Sequence, residues 1–422
     1  MRVYVESFGC SQNRGEGAGI ARDLAVHGHG LAPSPSDADV GILVTCGVIG
    51  PTEGRMVRRW KALSASLPRV VVTGCLVPLR TDLMTGPGRE RTTFLPIREQ
   101  DRLPAMLDEW SGMTSTALSA LPVLPEPPAP PPMAEEVIIA QGCTSGCTYC
   151  FSRLARGHLT SVPLPDVVRR VREATARGVR EVRLTGLDTA AWGEDLPGPE
   201  RLPDLVRAVS ALPGGFRVRV GMMSPQSLEP LLDRYLDVLA EGPPYRFLHL
   251  PLQSGSDAVL DTMHRGYRAD LFRGQVEAAR RRLPDLHLST DVIVGFPGET
   301  EEDFRATEAL LEKVGPETVN VTRFSARPGT PAARLPALPP RVAKRRSRAL
   351  AALRFRISRT RLERWIGTRT VGRVLELGPG GSAVARLGNY LPVVLDRRPT
   401  LGSDVELRVD GARSTYLLGT PL

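Results

Sequence analysis

The chain has 422 residues, a formal net charge of +9 and a hydrophobic fraction of 41%. That length suggests two or three domains, and the composition excludes a disordered chain. No uniformly apolar stretch is long enough to span a bilayer, and six cysteines in so long a chain do not make a disulfide scaffold. The opening residues read as a strand, so no secretory signal is visible. The expectation is a cytoplasmic protein with no membrane partner, in a reducing compartment where close-set cysteines serve as metal ligands.

Residues 1–120 alternate strand-like runs ("VYVES", "VGILVTC", "RVVVTGC") with helix-like segments such as "GAGIARDLAVHG". This pattern predicts an α/β sandwich with a parallel sheet. Residues 121–133, "LPVLPEPPAPPPM", predict an extended, proline-rich linker. Residues 134–340 repeat strand and helix. The strands are "EEVIIAQG", "EVRLTG", "FRVRVGM", "RFLHLPLQ", "LSTDVIVG" and "ETVNVTRFS", and the helices between them carry apolar residues at three- and four-residue spacing. Six β/α units predict right-handed crossovers and an open, partial (β/α)6 barrel, since six fall short of a closed eightfold one.

Residues 341–367 predict a basic helical connector. Within it, 341–365 hold ten Lys/Arg and one acid, so this segment alone equals the +9 excess of the whole chain (10 − 1 = 9). Such a run is either a solvated helix face or a surface for a polyanion such as nucleic acid. Residues 368–422 hold short strands at roughly ten-residue spacing, which predicts a small antiparallel β-barrel. Barrels of this kind either bind RNA or cap a neighbouring domain.

Two cysteine sets carry the chemistry. Cys143, Cys147 and Cys150 are spaced C-x3-C-x2-C in a loop that directly follows a strand. Thiolates are soft ligands for iron–sulfur clusters or zinc. A structural zinc would need a fourth ligand at short range, and only His158 is near. Three thiolates on a four-iron cluster leave one iron open to bind something else. Cys10, Cys46 and Cys75 lie far apart, yet each ends a strand-like run ("VESFGC", "ILVTC", "VVTGC"). In a parallel sheet all three emerge at the carboxyl edge. Singly, each reads as a buried free cysteine; together, they read as a second three-thiolate site.

The loop "GCTSGCTYCFSRLARG", with Tyr149 in the aromatic place, resembles the radical S-adenosylmethionine (SAM) superfamily. The further motifs "SFGCSQNR", "VTCGV", "TGCL", "LTGLDTAAWGEDL", "FLHLPLQSGSDAVLDTMHRGY", "TDVIVGFPGETEEDF" and "FSARPGTPAA" resemble the methylthiotransferases over nearly the whole chain. The phrases "LTGLDTAAWGEDL", "RVGMMSP" and "MHRGY" look most like the branch acting on threonylcarbamoyl-adenosine in tRNA, in its archaeal and eukaryotic form. Residues 368–422 resemble the TRAM RNA-binding domain. Two positions depart from the family pattern: Val44 stands where Asn is usual, and Leu187 where Gln is common.

The resemblance implies two 4Fe–4S clusters and SAM as cofactors. Cys143, Cys147 and Cys150 would hold the cluster that cleaves SAM to a 5′-deoxyadenosyl radical. Cys10, Cys46 and Cys75 would hold an auxiliary cluster that carries sulfur. Tyr149, Thr185, Gly186, Asp188, Gln253, Gly295 and Phe324 would line the SAM site, with no catalytic residue beyond the cluster ligands. His249 reads instead as a hydrogen-bonded core histidine. The implied reaction places a methylthio group at C2 of N6-threonylcarbamoyladenosine at position 37. The implied partners are the tRNA anticodon stem-loop and an electron donor such as ferredoxin or flavodoxin, and the implied state is a monomer. The alternatives are isopentenyl-adenosine or a ribosomal-protein aspartate as substrate, or a non-catalytic iron–sulfur RNA-binding sensor.

Overall fold

The computed structural model describes residues 1–47, 50–112 and 133–422. The predicted linker falls almost wholly outside the described residues. The chain divides into two compact units. The first contains residues 1–112 with Cys150–His158 and Arg327–Thr330; the second contains residues 133–149, Leu159–Ala326 and Pro331–Leu422.

The first unit is built on five parallel strands: β1 (Arg2–Ser7), β2 (Gly30–Leu31), β3 (Val40–Thr45), β4 (Arg69–Gly74) and β5 (Thr92–Phe94), in the order β2-β1-β3-β4-β5. Every residue of the central β3 is buried, as its largely apolar run (VGILVT) requires for a strand covered on both faces. Helices α1 (Ser11–Val26), α2 (Gly50–Ser66), α3 (Val77–Arg80) and α4 (Leu103–Ser111) connect or follow the strands, and α5 (Phe151–Arg156) belongs to the same unit. Leu24, Val40, Ile42, Val71 and Leu107 make one core of this unit; Leu43, Met56, Trp60, Val72 and Phe151 make the other.

In the second unit the six predicted core strands are present as β6 (Ala134–Ile138), β9 (Glu181–Thr185), β10 (Arg217–Val220), β11 (Phe247–His249), β12 (His287–Val294) and β13 (Thr318–Arg323). A short antiparallel pair, β7 (Ala140–Gln141) and β8 (Thr160–Ser161), flanks them. The strands are parallel and run in the predicted order, but as two three-stranded sheets, β6-β9-β10 and β11-β12-β13. The join is a single bridge from Val218 to Pro244. Beyond it the Phe247 N–H turns back to the Tyr245 carbonyl at 2.7 Å instead of reaching β10, so no ladder forms between β10 and β11. Helices α6 (Leu164–Ala176), α7 (Leu202–Ser210), α8 (Pro225–Leu228), α9 (Leu232–Ala240), α10 (Asp257–Thr262), α11 (Ala269–Arg282) and α12 (Glu301–Val314) follow the strands. Val182, Leu184, Val218, Leu248, Leu288 and Val292 pack with Val167, Val206, Leu236 and Phe272 of these helices. The strand period of two therefore turns Arg183, Arg219, Phe247, His249, His287 and Asp291 to the opposite, inner face.

The basic segment forms α13 (Pro340–Glu363). Much of its charge is consumed within the fold. Five of the ten cations pair with carboxylates: Arg345 with Glu301, Arg346 with Glu299, Arg356 with Glu312, Arg359 with Glu363 and Arg361 with Glu317. The chain ends in a closed barrel of β14 (Arg369–Leu377), β15 (Ala383–Leu387), β16 (Pro392–Leu395), β17 (Asp404–Ala412) and β18 (Leu417–Pro421), in the order β14-β15-β16-β18-β17. Its pairs are antiparallel except β16–β18, which is parallel. A wholly antiparallel ring was the expectation; an odd number of strands cannot close with every pair antiparallel.

Candidate functional site

The carboxyl edge of the first sheet gathers the scattered cysteines. Cys10, Cys46 and Cys75 immediately follow, or lie within three residues of, the ends of β1, β3 and β4, which are neighbours in the sheet. Gly9 has φ +106, and a Cβ there would fall 2.6 Å from Cys46 Sγ. Only glycine lets the β1–α1 loop come that close, and this approach brings Cys10 beside Cys46. The Cys75 N–H donates to the Thr45 carbonyl at 2.9 Å. Asn13 Nδ2 donates to the carbonyls of Phe8 and Thr45 at 2.8 and 2.7 Å, tying the loop to the strand end. Arg156, the last residue of α5, donates from Nε to Cys75 Sγ at 3.3 Å and from Nη2 to Asn13 Oδ1 at 2.9 Å. Its guanidinium also grips Glu16, and both side chains are 1% exposed. Burial pushes the Cys75 thiol up, against the opposing pull of Arg156.

Cys143, Cys147 and Cys150 lie in the loop between β7 and α5. The Ser145 N–H points at Cys143 Sγ at 3.4 Å, and Cys150 caps α5 by accepting from the Arg153 N–H at 3.4 Å. Residues 262–265 brace the loop. Thr148 donates its N–H to the Met263 carbonyl at 3.0 Å and its hydroxyl to the Thr262 carbonyl at 2.9 Å, while Arg265 Nη1 donates to Cys147 Sγ at 3.1 Å. Among the described residues, no three His, Cys, Asp or Glu side chains converge on a single metal ion. In a four-iron cluster each thiolate binds its own iron, so the ligands stand further apart than around one ion. The donor set fits such a cluster: three soft sulfurs per site, with N–H groups aimed at sulfur.

The remaining predicted residues fall in the second unit. Thr185 ends β9, and Gly186 and Asp188 follow it. Asp188 is buried; it accepts from the Ser224 N–H at 2.9 Å and the Ser227 hydroxyl at 2.7 Å, so its carboxylate anchors the loop to the start of α8. Burial pushes its carboxyl up. Gln253 lies beyond β11 rather than on it, with φ +66 and its N–H donated to the Asp291 carbonyl. Its Oε1 is buried with no hydrogen-bond partner among the described residues, which suits an acceptor awaiting a ligand. Gly295 (φ +74) donates its N–H to Glu299 Oε2 at 2.7 Å, and Ala343 of α13 stands 2.5 Å from where its Cβ would be. Helix packing is therefore a sufficient reason for glycine there. Tyr149, Phe296 and Phe324 form an edge-to-face series, with ring centroids 6.3 and 5.1 Å apart. Val44 is fully buried in the first unit's core. His249 is half-buried and bonds Asp291 at 2.9 Å through Nε2, so it is hydrogen-bonded but not a core residue.

The sequence reading assigned no role to Asn13, Glu16, Arg156 or Arg265. A signal existed for the first two: they lie three apart on α1 and share its buried face with Gln12, Gly17 and Ile20. Polar side chains on the buried face of a helix need partners.

A partial β/α barrel carrying a three-cysteine loop after its first strand defines a radical SAM enzyme. The radical SAM superfamily model matches residues 137–311, and the model of uncharacterized protein family UPF0004 matches 2–89. A probable threonylcarbamoyladenosine tRNA methylthiotransferase from Methanothermobacter thermautotrophicus is 36% identical, with 99% of each chain covered. A tRNA-2-methylthio-N(6)-dimethylallyladenosine synthase from Chloroflexus aurantiacus is 34% identical over all of this chain and 91% of its own. Among solved structures, the radical SAM methyltransferase TsrM from Kitasatospora setae superposes with a TM-score of 0.57 at 13% identity, covering 79% of this chain and 76% of its own, a likeness of fold. The chain belongs to the radical SAM tRNA methylthiotransferase family. It is a transferase, and the family's cofactors are SAM and 4Fe–4S clusters.

Proposed function

We propose that the protein inserts a methylthio group at C2 of N6-threonylcarbamoyladenosine at position 37 of tRNA. The observation that carries this reading is the 36% identity, end to end, with a relative named for that substrate. When bound, a cluster with an open iron cleaves SAM reductively, and an auxiliary cluster supplies the sulfur that is methylated and transferred.

Cys143, Cys147 and Cys150 would hold the first cluster, and Cys10, Cys46 and Cys75 the second. Tyr149, Thr185, Gly186, Asp188, Gln253, Gly295 and Phe324 would line the SAM site, with the unpartnered Oε1 of Gln253 offering an acceptor to a ribose hydroxyl. The substrate base has to leave the anticodon stack before its C2 edge can be reached. The barrel and the cations of α13 left without acidic partners would hold tRNA phosphates, which position the RNA without reading its sequence. We place this activity in the cytoplasm, in a monomer reduced by a ferredoxin or flavodoxin.

The Chloroflexus relative, at 34% identity, favours a second reading with dimethylallyladenosine as substrate. Nucleoside mass spectrometry on a deletion strain separates the two. Loss of 2-methylthio-N6-threonylcarbamoyladenosine, restored by the gene, supports the first reading; persistence of that nucleoside sinks it.

A further inference from the structure

We propose that Arg156 is a positioning residue of the auxiliary cluster: it fixes Cys75 and sets the reduction potential of the metal site that Cys75 would hold. This rests on the assignment of Cys10, Cys46 and Cys75 as ligands, and not on which nucleoside is modified.

The guanidinium is almost wholly out of solvent, with its side chain 1% exposed. Its edges face different partners. Nε points at Cys75 Sγ at 3.3 Å. Nη2 reaches Asn13 Oδ1 and Glu16 Oε2, both at 2.9 Å, and Nη1 meets Glu16 Oε1. The planar fork makes this arrangement rigid, and the group stays cationic at any accessible pH.

A buried ion pair seldom persists for stability alone. Replacing one by well-packed apolar groups is often neutral or better, whereas removing one partner strands a charge. Here the pair has a direction. Glu16 binds the Nη edge, so the positive end of the pair abuts the Cys75 sulfur. Positive charge and an N–H donor at a ligating sulfur withdraw charge from a cluster and stabilise an added electron, more so in a low-dielectric pocket. Arg156 ends the short helix that Cys150 caps, with Phe151 and Ala155 between them buried in the core beside Cys46 and Cys75. A rigid one-and-a-half-turn helix thus carries the guanidinium from one cysteine loop to the other set's ligand.

The test uses the full-length chain with Cys143→Ala, Cys147→Ala and Cys150→Ser. The serine keeps an acceptor at the helix cap. After anaerobic reconstitution, only the auxiliary cluster remains, and its midpoint potential is read by EPR-monitored titration. Adding Arg156→Met with Glu16→Gln removes the pair without stranding a charge. We expect iron to be retained and the one-electron reduction constant to fall at least tenfold, about 59 mV downward. Arg156→Lys, which keeps the charge but not the fork, should fall less. Full iron with an unchanged potential in the double variant overturns the proposal and leaves a plain structural ion pair. If the double variant holds no iron, Arg156→Lys decides: a lowered potential supports the proposal and an unchanged one overturns it. A background chain that takes up no iron overturns the ligand assignment and the proposal together; an unchanged potential overturns the proposal alone.

Discussion

Arg265 Nη1 lies 3.1 Å from Cys147 Sγ, a cation and an N–H donor placed at a thiol 118 residues earlier in the chain. The same guanidinium is half-buried and lies 5.0 Å over the Tyr267 ring, so it is held rather than free to drift. Second-layer donors of this kind typically matter ten- to a hundredfold in affinity or activity. We expect Arg265→Ala to lower dithionite-driven 5′-deoxyadenosine formation by about tenfold or more, with Arg265→Lys intermediate. Liquid chromatography of quenched reactions, normalised to iron content, checks this. Equal yields from Arg265→Ala and the parent protein would show that the contact is incidental.

His287 opens β12 on the inner face and is buried against the Phe247 ring, 5.1 Å away, with Nε2 3.0 Å from the Thr318 hydroxyl. Burial pulls its pKa down from 6.5 to about 4. The unfolded chain therefore binds a proton near pH 6.5 that the folded chain refuses until about pH 4. Stability contributed by the neutral histidine is present above pH 6.5 and declines as pH falls to about 4, by roughly 2–4 kcal/mol in total. His287→Gln should flatten that part of the stability–pH curve. Urea unfolding of parent and variant at pH 7, 5.5 and 4.5 reads the difference, and parallel curves would refute it.

Half of α13's charge is already spent within the fold. Arg341, Lys344, Arg348 and Arg364 are exposed and have no acidic partner among the described residues, whereas Arg356 is held by Glu312 at 2.5 Å. If α13 contacts tRNA phosphates, the free cations should dominate. Changing Arg341, Lys344 and Arg348 together to Gln should weaken tRNA binding and reduce the slope of log K against log salt by up to about three. Arg356→Gln should change that slope by less than one. Filter binding across a salt series checks both, and equal effects from the two variants would show that pairing does not matter.

The elements were legible because each obeys a local rule. The largely apolar run of β3 and the helix-spaced apolar residues of α6, α9 and α11 state their own period, and Cys143, Cys147 and Cys150 are close enough to be read as a group. What was not legible depends on tertiary neighbours. The lapse between β10 and β11 shows only once the strands are side by side, where the Phe247 N–H bonds the Tyr245 carbonyl of its own segment instead of β10. The parallel β16–β18 pair is a closure constraint that no single strand carries. The net charge of α13 was plain in sequence, but Glu299, Glu301, Glu312 and Glu317, which take up much of it, lie 44 to 47 residues before the cations they pair with. Arg156 lies inside the motif "GCTSGCTYCFSRLARG", yet its meaning depends on Glu16, 140 residues away, being buried beside it.

Tyr390 joins the terminal barrel to the inner face of the partial β/α barrel. It lies in the turn between β15 and β16, at φ +73, with its ring 4.9 Å from Tyr245 and 5.1 Å from Phe247. Arg219 stands over the same ring at 5.2 Å and over Phe247 at 4.8 Å, and Arg386 over Tyr390 at 4.8 Å. The turn is fastened by the Arg246 N–H to the Gly388 carbonyl at 3.0 Å and by Asn389 Nδ2 to the Asp285 carbonyl at 2.8 Å. A non-glycine residue in the left-handed region costs of order 1 kcal/mol and persists where its surroundings over-determine it. Here the aromatic and cationic neighbours do so. Tyr390→Ala would keep the backbone strain, remove the ring and leave Arg219 with less to rest on, at about 2–4 kcal/mol. Tyr390→Gly would relieve the strain and soften that loss. We therefore expect thermal stability to fall in the order parent, Tyr390→Gly, Tyr390→Ala, with proteolytic cleavage between the core and the barrel rising in that same order. Calorimetry with limited proteolysis checks the ranking, and a Tyr390→Ala chain as stable and as protease-resistant as the parent would mean that the turn is held by these two hydrogen bonds alone.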